Sequence, residues 1–187
     1  FIARGKEKTR VVLNGRQSQG YDMVHDLEFS PDSNKLAYVA QQGKEFFVYL
    51  NQERQPSFKG IDQKQGLIFS PDSEHLAYVG ITKEKKSALV RDGRLGPKFD
   101  KIKHVSFSPD SEELAYAARD EERWHLVWGT EKGPGYKDIL YIAFGPKSEQ
   151  LVYIARTEEG SKVVRNGKQS PSYRDVIGEP VFSPEGK

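Results

Sequence analysis

Three short markers, each recurring five times at nearly one period, predict an all-β chain: a five-bladed β-propeller with four antiparallel strands per blade. The first is Phe29-Ser30-Pro31-Asp32-Ser33, repeated at residues 69–73 and 107–111 and, more loosely, as Phe144-Gly145-Pro146-Lys147-Ser148 and Phe182-Ser183-Pro184-Glu185-Gly186. Its phenylalanines, at 29, 69, 107, 144 and 182, stand 40, 38, 37 and 38 residues apart. The second is Leu36-Ala37-Tyr38-Val39-Ala40, with copies at 76–80, 114–118 and 151–155. Its fifth copy lies at the other end of the chain, where Phe1-Ile2-Ala3-Arg4 matches Tyr153-Ile154-Ala155-Arg156. The third is an apolar run closed by a turn pair: Asn14-Gly15, Asn51-Gln52, Asp92-Gly93, Gly129-Thr130 and Asn166-Gly167.

Each repeat reads as strands and turns. The inner strand ends at the marker phenylalanine. Ser-Pro-Asp then signals a type I turn, because proline presets φ and aspartate bonds to backbone amides within the turn. Leu-Ala-Tyr-Val-Ala is apolar on both faces, as a strand buried between two stacked sheets must be. The third strand ends at Asn-Gly or Asp-Gly, which favours a two-residue hairpin turn at positive φ. An outer strand covers the less regular pieces around Tyr21, Phe58, Phe99, Tyr136 and Tyr173.

The ends set the predicted blade count. The chain stops just after the turn at Pro184 and begins with the second strand of the same unit. Residues 1–187 are therefore read as a single domain. Four blades centre on the turns at 30–33, 70–73, 108–111 and 145–148. A closing blade is drawn from 179–187 plus 1–20, with 179–183 as its inner strand. Such pairing of the N- and C-terminal segments removes an edge that would otherwise stay open.

Composition narrows the function classes. Twenty-nine basic and twenty-seven acidic residues leave a net charge of +2. No stretch is basic without acidic neighbours, which argues against nucleic-acid binding. With no cysteine, disulfides and thiolate chemistry are excluded. The longest strongly apolar run, Phe46 to Leu50, is too short to span a bilayer, and the expectation is a soluble monomer with no membrane contact. No signal peptide is visible at Phe1. No nucleophile-elbow serine or glycine-rich phosphate loop is present, and no cofactor or metal motif.

The pattern FSPDS…LAY…(D/N)G resembles the WD-like repeat of bacterial TolB-type propellers, along the whole chain. That resemblance implies a scaffold that binds protein partners, in the bacterial periplasm or cytoplasm. The additional domain that accompanies the propeller in TolB has no counterpart here.

In such blades the loops leading into the inner strands share one face with the loops joining second and third strands, and loops on a rigid scaffold are where binding resides. The inner-strand starts hold His25, Asp26, Gln65, Gly66, Lys103, His104, Leu140, Tyr141, Gly178 and Glu179. Of these, His25, Asp26, Lys103, His104, Tyr141 and Glu179 form a candidate ligand site at the channel mouth, where carboxylates and imidazoles suit a sugar, a divalent metal or glycosidase-like chemistry. Against it, no ligand spacing motif supports the cluster. The second loops, at 41–45, 82–86, 119–123, 156–160 and 5–8, are highly charged with mixed signs. The sequence thus favours a non-enzymatic interaction scaffold for a protein partner. A small-ligand site and a trimmed or engineered repeat protein without ligand are the alternatives.

Overall fold

A computed structural model describes residues 1–185. Among them every regular element is a β-strand, with no helix. The chain divides into two compact units, residues 1–98 and residues 99 onward.

The first unit opens with a three-stranded antiparallel sheet of β1 (Ile2–Arg4), β2 (Thr9–Leu13) and β3 (Arg16–Gln17). The second sheet holds β4 (Met23–Phe29), β5 (Leu36–Gln42), β6 (Glu45–Leu50) and β7 (Glu53–Phe58) in that order. The third has β8 (Gly60–Ile61), β9 (Ile68–Phe69), β10 (Leu76–Ile81), β11 (Ser87–Arg91) and β12 (Arg94–Phe99). Here β8 and β9 both pair with β10, so one inner strand is split in two. The reason is an insertion: Phe69 follows Phe58 by eleven residues, whereas Phe29 follows Tyr21 by eight. The surplus makes a small turn, in which the Gly66 amide donates to Asp62 O and the Asp62 carboxylate accepts from the Lys64 amide.

The second unit contains two four-stranded antiparallel sheets. One is β13 (Lys101–Phe107), β14 (Leu114–Asp120), β15 (Arg123–Trp128) and β16 (Glu131–Lys132). The other is β17 (Asp138–Phe144), β18 (Leu151–Thr157), β19 (Gly160–Arg165) and β20 (Lys168–Gln169).

The predicted markers fall where the physics places them. All five residues of each Leu-Ala-Tyr-Val-Ala copy in β5, β10, β14 and β18 are buried, because both faces of these strands meet neighbouring apolar layers. The turn pairs Asn14-Gly15, Asp92-Gly93 and Asn166-Gly167 have φ between 46° and 77°, the type I′ geometry. The side chains of Asn51, Asp92 and Asn166 accept the amides of Leu36, Leu76 and Leu151, which fixes where the second strand starts.

In the first Ser-Pro-Asp turn, the Ser30 hydroxyl donates to Asp32 at 2.5 Å and accepts the Lys35 amide at 2.9 Å. Asp32 also receives the Asn34 amide. Together these bonds hold the Asp32 carboxyl down at about 2, the Ser30 hydroxyl contributing most. The serine that closes the motif takes a left-handed φ of 63–69° at Ser33, Ser73, Ser111 and Ser148. From there Ser73 and Ser148 reach back to the preceding sheet. The Asp32 amide donates to Ser73 Oγ, and the Asp110 amide donates to Ser148 Oγ.

Sheets stack through an aromatic joint. The outer-strand aromatic of one sheet lies edge-on to the marker tyrosine of the next: Tyr21 on Tyr38, Phe58 on Tyr78, Phe99 on Tyr116, Tyr136 on Tyr153. Ring centroids are 5.9–6.3 Å apart. Where both rings are tyrosines their hydroxyls bond, at 3.0 and 3.2 Å, and burial pushes Tyr21 up to about 12. Opposite Phe58, the buried Tyr78 hydroxyl has no partner among the described residues.

Two features depart from expectation. Outer strands at Tyr21, Tyr136 and Tyr173 shrink to single bridges, partly because Ser18 and Ser170 side chains accept the Val11 and Val163 amides in place of backbone carbonyls. Residues 179–183, expected as the inner strand of the closing blade, carry no strand, and β1 pairs with β2 alone among the described residues. Pro180 offers no amide to a ladder. The expected closing blade also extends into residues 186–187, which lie outside the described residues.

Candidate functional site

The inner strands β4, β13 and β17 each carry a β-bulge, between His25 and Glu28, Lys103 and Ser106, and Ile139 and Tyr141. A bulge breaks the ladder and re-aims side chains. At two of these bulges Asp26 and His104 sit at φ 50° and 55°, while Gly66, in the turn before β9, and Gly178, outside any strand, take 68° and 87°. Five of the six predicted site residues lie at bulges or beside them, so local irregularity positions them.

In the first unit His25 Nδ1 bonds its neighbour Asp26 Oδ2 at 2.9 Å, a partly buried pair. In the second unit Lys103 Nζ donates to Asp138 Oδ1 at 2.5 Å and lies 4.3 Å from the Trp124 ring centroid. Asp138 also accepts the Ile139 amide. His104 is half-buried beside this pair. Burial holds its imidazole below the ordinary value, the Lys103 charge adds to this, and the Asp138 charge opposes it. The Tyr141 hydroxyl donates to Glu179 Oε2 at 3.2 Å, and burial, followed by that carboxylate, raises the phenol.

Within the second unit the structure therefore brings Lys103 to Asp138 and Tyr141 to Glu179, while His25 and Asp26 pair with each other in the first. Asp138 was missed by the sequence reading, since the partner of Lys103 stands 35 residues away. Trp124 carries the Lys103 ammonium on its face, a cation–π contact. Among the described residues no group of three His, Asp or Glu side chains could hold a metal ion.

The loops between second and third strands have a simpler organisation. Turn tips in the first unit are dominantly basic: Lys6, Lys8, Lys44, Lys83 and Lys85. Those of the second unit are acidic: Glu121-Glu122 and Glu158-Glu159. Several tip and flank charges are tied down. Lys8 bonds Asp22 at 2.6 Å, Lys98 bonds Glu84 at 3.2 Å, and Lys132 bonds Asp120 at 2.6 Å. Glu158 takes both Arg123 and Lys137. Hydrogen bonds from Thr82, from its own backbone and from Lys98 hold Glu84 down at about 2.

His75 Nδ1 bonds Asp92 Oδ2 at 2.7 Å at a surface hairpin, and His125 Nδ1 bonds Gly133 O at 2.9 Å. No helix among the described residues is long and apolar enough to cross a membrane.

No protein-family model and no curated protein matches the sequence. Solved structures do. TolB from Acinetobacter baumannii is 14% identical, with 96% of this chain and 52% of that chain covered and a TM-score of 0.48. The β-propeller domain of the Trilobed protease from Pyrococcus furiosus is 15% identical over 87% of this chain and 62% of that one, at 0.48. The chain thus spans roughly half to two thirds of the length of these proteins. The Dos1 propeller matches 91% of this chain and 50% of that one at 11% identity and a TM-score of 0.50. At such identity the likeness speaks to fold and not to activity: the chain has the β-propeller fold.

Proposed function

We propose that this chain is a non-enzymatic interaction scaffold, a five-bladed propeller closed by its own ends, which binds a protein partner through its second-to-third strand loops. The observation that carries this reading is the loop chemistry. Exposed tips, dominantly basic in the first unit and acidic in the second, stand on short hairpins braced by ion pairs. Such a surface is pre-ordered, so little side-chain freedom remains to be lost on binding. Its charge pattern suits a partner with acidic and basic segments, and charge at an interface rim acts mainly on association rate and salt dependence.

A sugar- or ligand-binding site around Lys103, His104, Tyr141 and Glu179 is the second reading, favoured by the bulges that gather these groups. Their polar atoms are largely engaged with one another, which weakens that reading.

Two measurements separate the readings. Partner capture from extract at low and high salt, with Lys83→Glu/Lys85→Glu and Glu121→Lys/Glu122→Lys variants, is expected to show a protein lost by about tenfold in either variant. Capture indifferent to both reversals would remove the loop reading. A thermal-shift screen of metals and sugars is expected to be flat; a stabilising hit abolished by Glu179→Ala would establish the ligand site instead.

A further inference from the structure

Two gaps between stacked sheets are plugged by the protein's own side chains, and one is open. Between the second and third sheets the plug is Gln55 on β7. A Cβ on Gly93 would meet its Oε1 at 2.5 Å, so the glycine leaves room for it. Between the two sheets of the second unit the plug is Trp128, which packs on the core of Leu151 and Tyr153 and lies edge-on to Phe144 at 6.0 Å.

The first and second sheets have neither. Aligning Asn14-Gly15-Arg16-Gln17-Ser18 with Asn51-Gln52-Glu53-Arg54-Gln55 puts Ser18 in the place of Gln55. Ser18 is short and turned onto its own sheet, where its hydroxyl accepts the Val11 amide and donates to Gln19 O. Leu13 stands in the place of Trp128. What remains is a cleft of about 920 Å³ within the first unit, inside the range of about 300–1,000 Å³ usual for small-ligand sites. Val11, Leu13, Leu36 and Tyr38 give it an apolar floor.

Its mouth carries charge. Leu13 and Arg16 are cross-strand partners in the β2–β3 hairpin, so their side chains leave the same face of the sheet. The equivalent pairs are Leu50 with Glu53 and Trp128 with Glu131. Of the three, only the first sets a cation beside the apolar side chain. The Arg16 guanidinium and the Gln52 side-chain amide line the cleft and make no hydrogen bond or ion pair among the described residues. The polar groups of the bulge cluster, by contrast, are bonded to one another.

We propose that this cleft binds a small molecule that joins a flat aromatic ring to a carboxylate. The ring lies over Leu13 and Leu36, in the space that Trp128 takes for itself in the second unit. The carboxylate accepts the forked pair of hydrogen bonds that a free guanidinium offers, with the Gln52 amide as a further donor. Burial of the ring supplies the affinity, and the arginine selects acids over neutral analogues. The site is separate from the loop tips and from the bulge cluster.

Calorimetric titration with indolepropionate tests this. One molecule should bind per chain with a Kd of about 1 mM or tighter, and the neutral analogue indolepropanol should bind about tenfold more weakly. Arg16→Gln should cost the acid the same factor and leave the alcohol unchanged. Leu13→Trp, which installs the plug of the second unit, should abolish binding of both while circular dichroism shows the strands intact. Leu13→Phe takes its place if that variant does not fold. No binding of the acid at several millimolar would overturn the proposal, as would equal affinity for the alcohol. So would undiminished affinity for the acid in Arg16→Gln or in the folded plugged variant, since the ligand would then lie elsewhere.

Discussion

Asn51-Gln52 shows how a side chain can be placed against its own preference. Both residues hold positive φ, at 48° and 73°, in a hairpin where three of the four counterparts carry glycine second. A left-handed backbone costs a non-glycine residue about 1 kcal/mol or more. Gln52→Gly should therefore raise stability by about 0.5–1 kcal/mol in denaturant unfolding, after the extra freedom of glycine in the unfolded chain is subtracted. An unchanged or lower midpoint would mean that Gln52 makes a compensating contact. The same scale explains the candidate site. His25, Asp26, Lys103, His104, Tyr141 and Glu179 were visible as a varied set within a regular repeat, but their partners were not. His25 finds Asp26 beside it, whereas Lys103 finds Asp138 on the inner strand of the neighbouring sheet, and no local pattern encodes a contact over that separation.

At the level of the element, the Ser-Pro-Asp turn is a small acid-sensitive clasp. Asp32 titrates at about 2 in the folded chain and at 3.8 without these bonds. A depressed carboxyl contributes stability that is full above the unfolded value and is lost as pH falls through the folded one. Unfolding followed from pH 5 to pH 2 should thus show a fall in melting temperature between about 4 and about 2, and Ser30→Ala, which removes the leading hydrogen bond, should flatten it. An identical pH profile in the variant would sink this account. These turns and the marker strands were legible because each is specified locally, by proline and aspartate or by a run apolar on both faces. The split of β8 and β9 was not, since a three-residue surplus does not announce which strand it interrupts. The brevity of β3 and β20 was hidden too, because side-chain acceptors there displace backbone ones.

Across the whole molecule, stability depends on the number of joints made. Each joint buries an aromatic pair, so truncating one ring should cost about 3 kcal/mol. Tyr136→Ala, which removes the ring against Tyr153, is expected to lower Tm by about 6–12 °C. A shift under about 2 °C would mean that the joint adds little. The propeller fold was legible from the repeat, because repetition of one buried strand leaves few other solutions. The sequence also pointed to residues 179–183 as an inner strand, which the structure leaves without a ladder.

The bulges on the inner strands have a consequence for anyone wishing to give this protein a new binding activity. Asp26, Gly66, His104 and Gly178 all require a left-handed backbone, which favours glycine, asparagine, aspartate and histidine and penalises β-branched residues. A randomised library at these four places should be restricted to that short alphabet. Full randomisation would spend most of its members on chains that fold poorly, whereas neighbouring Lys103 and Tyr141 accept a wider choice.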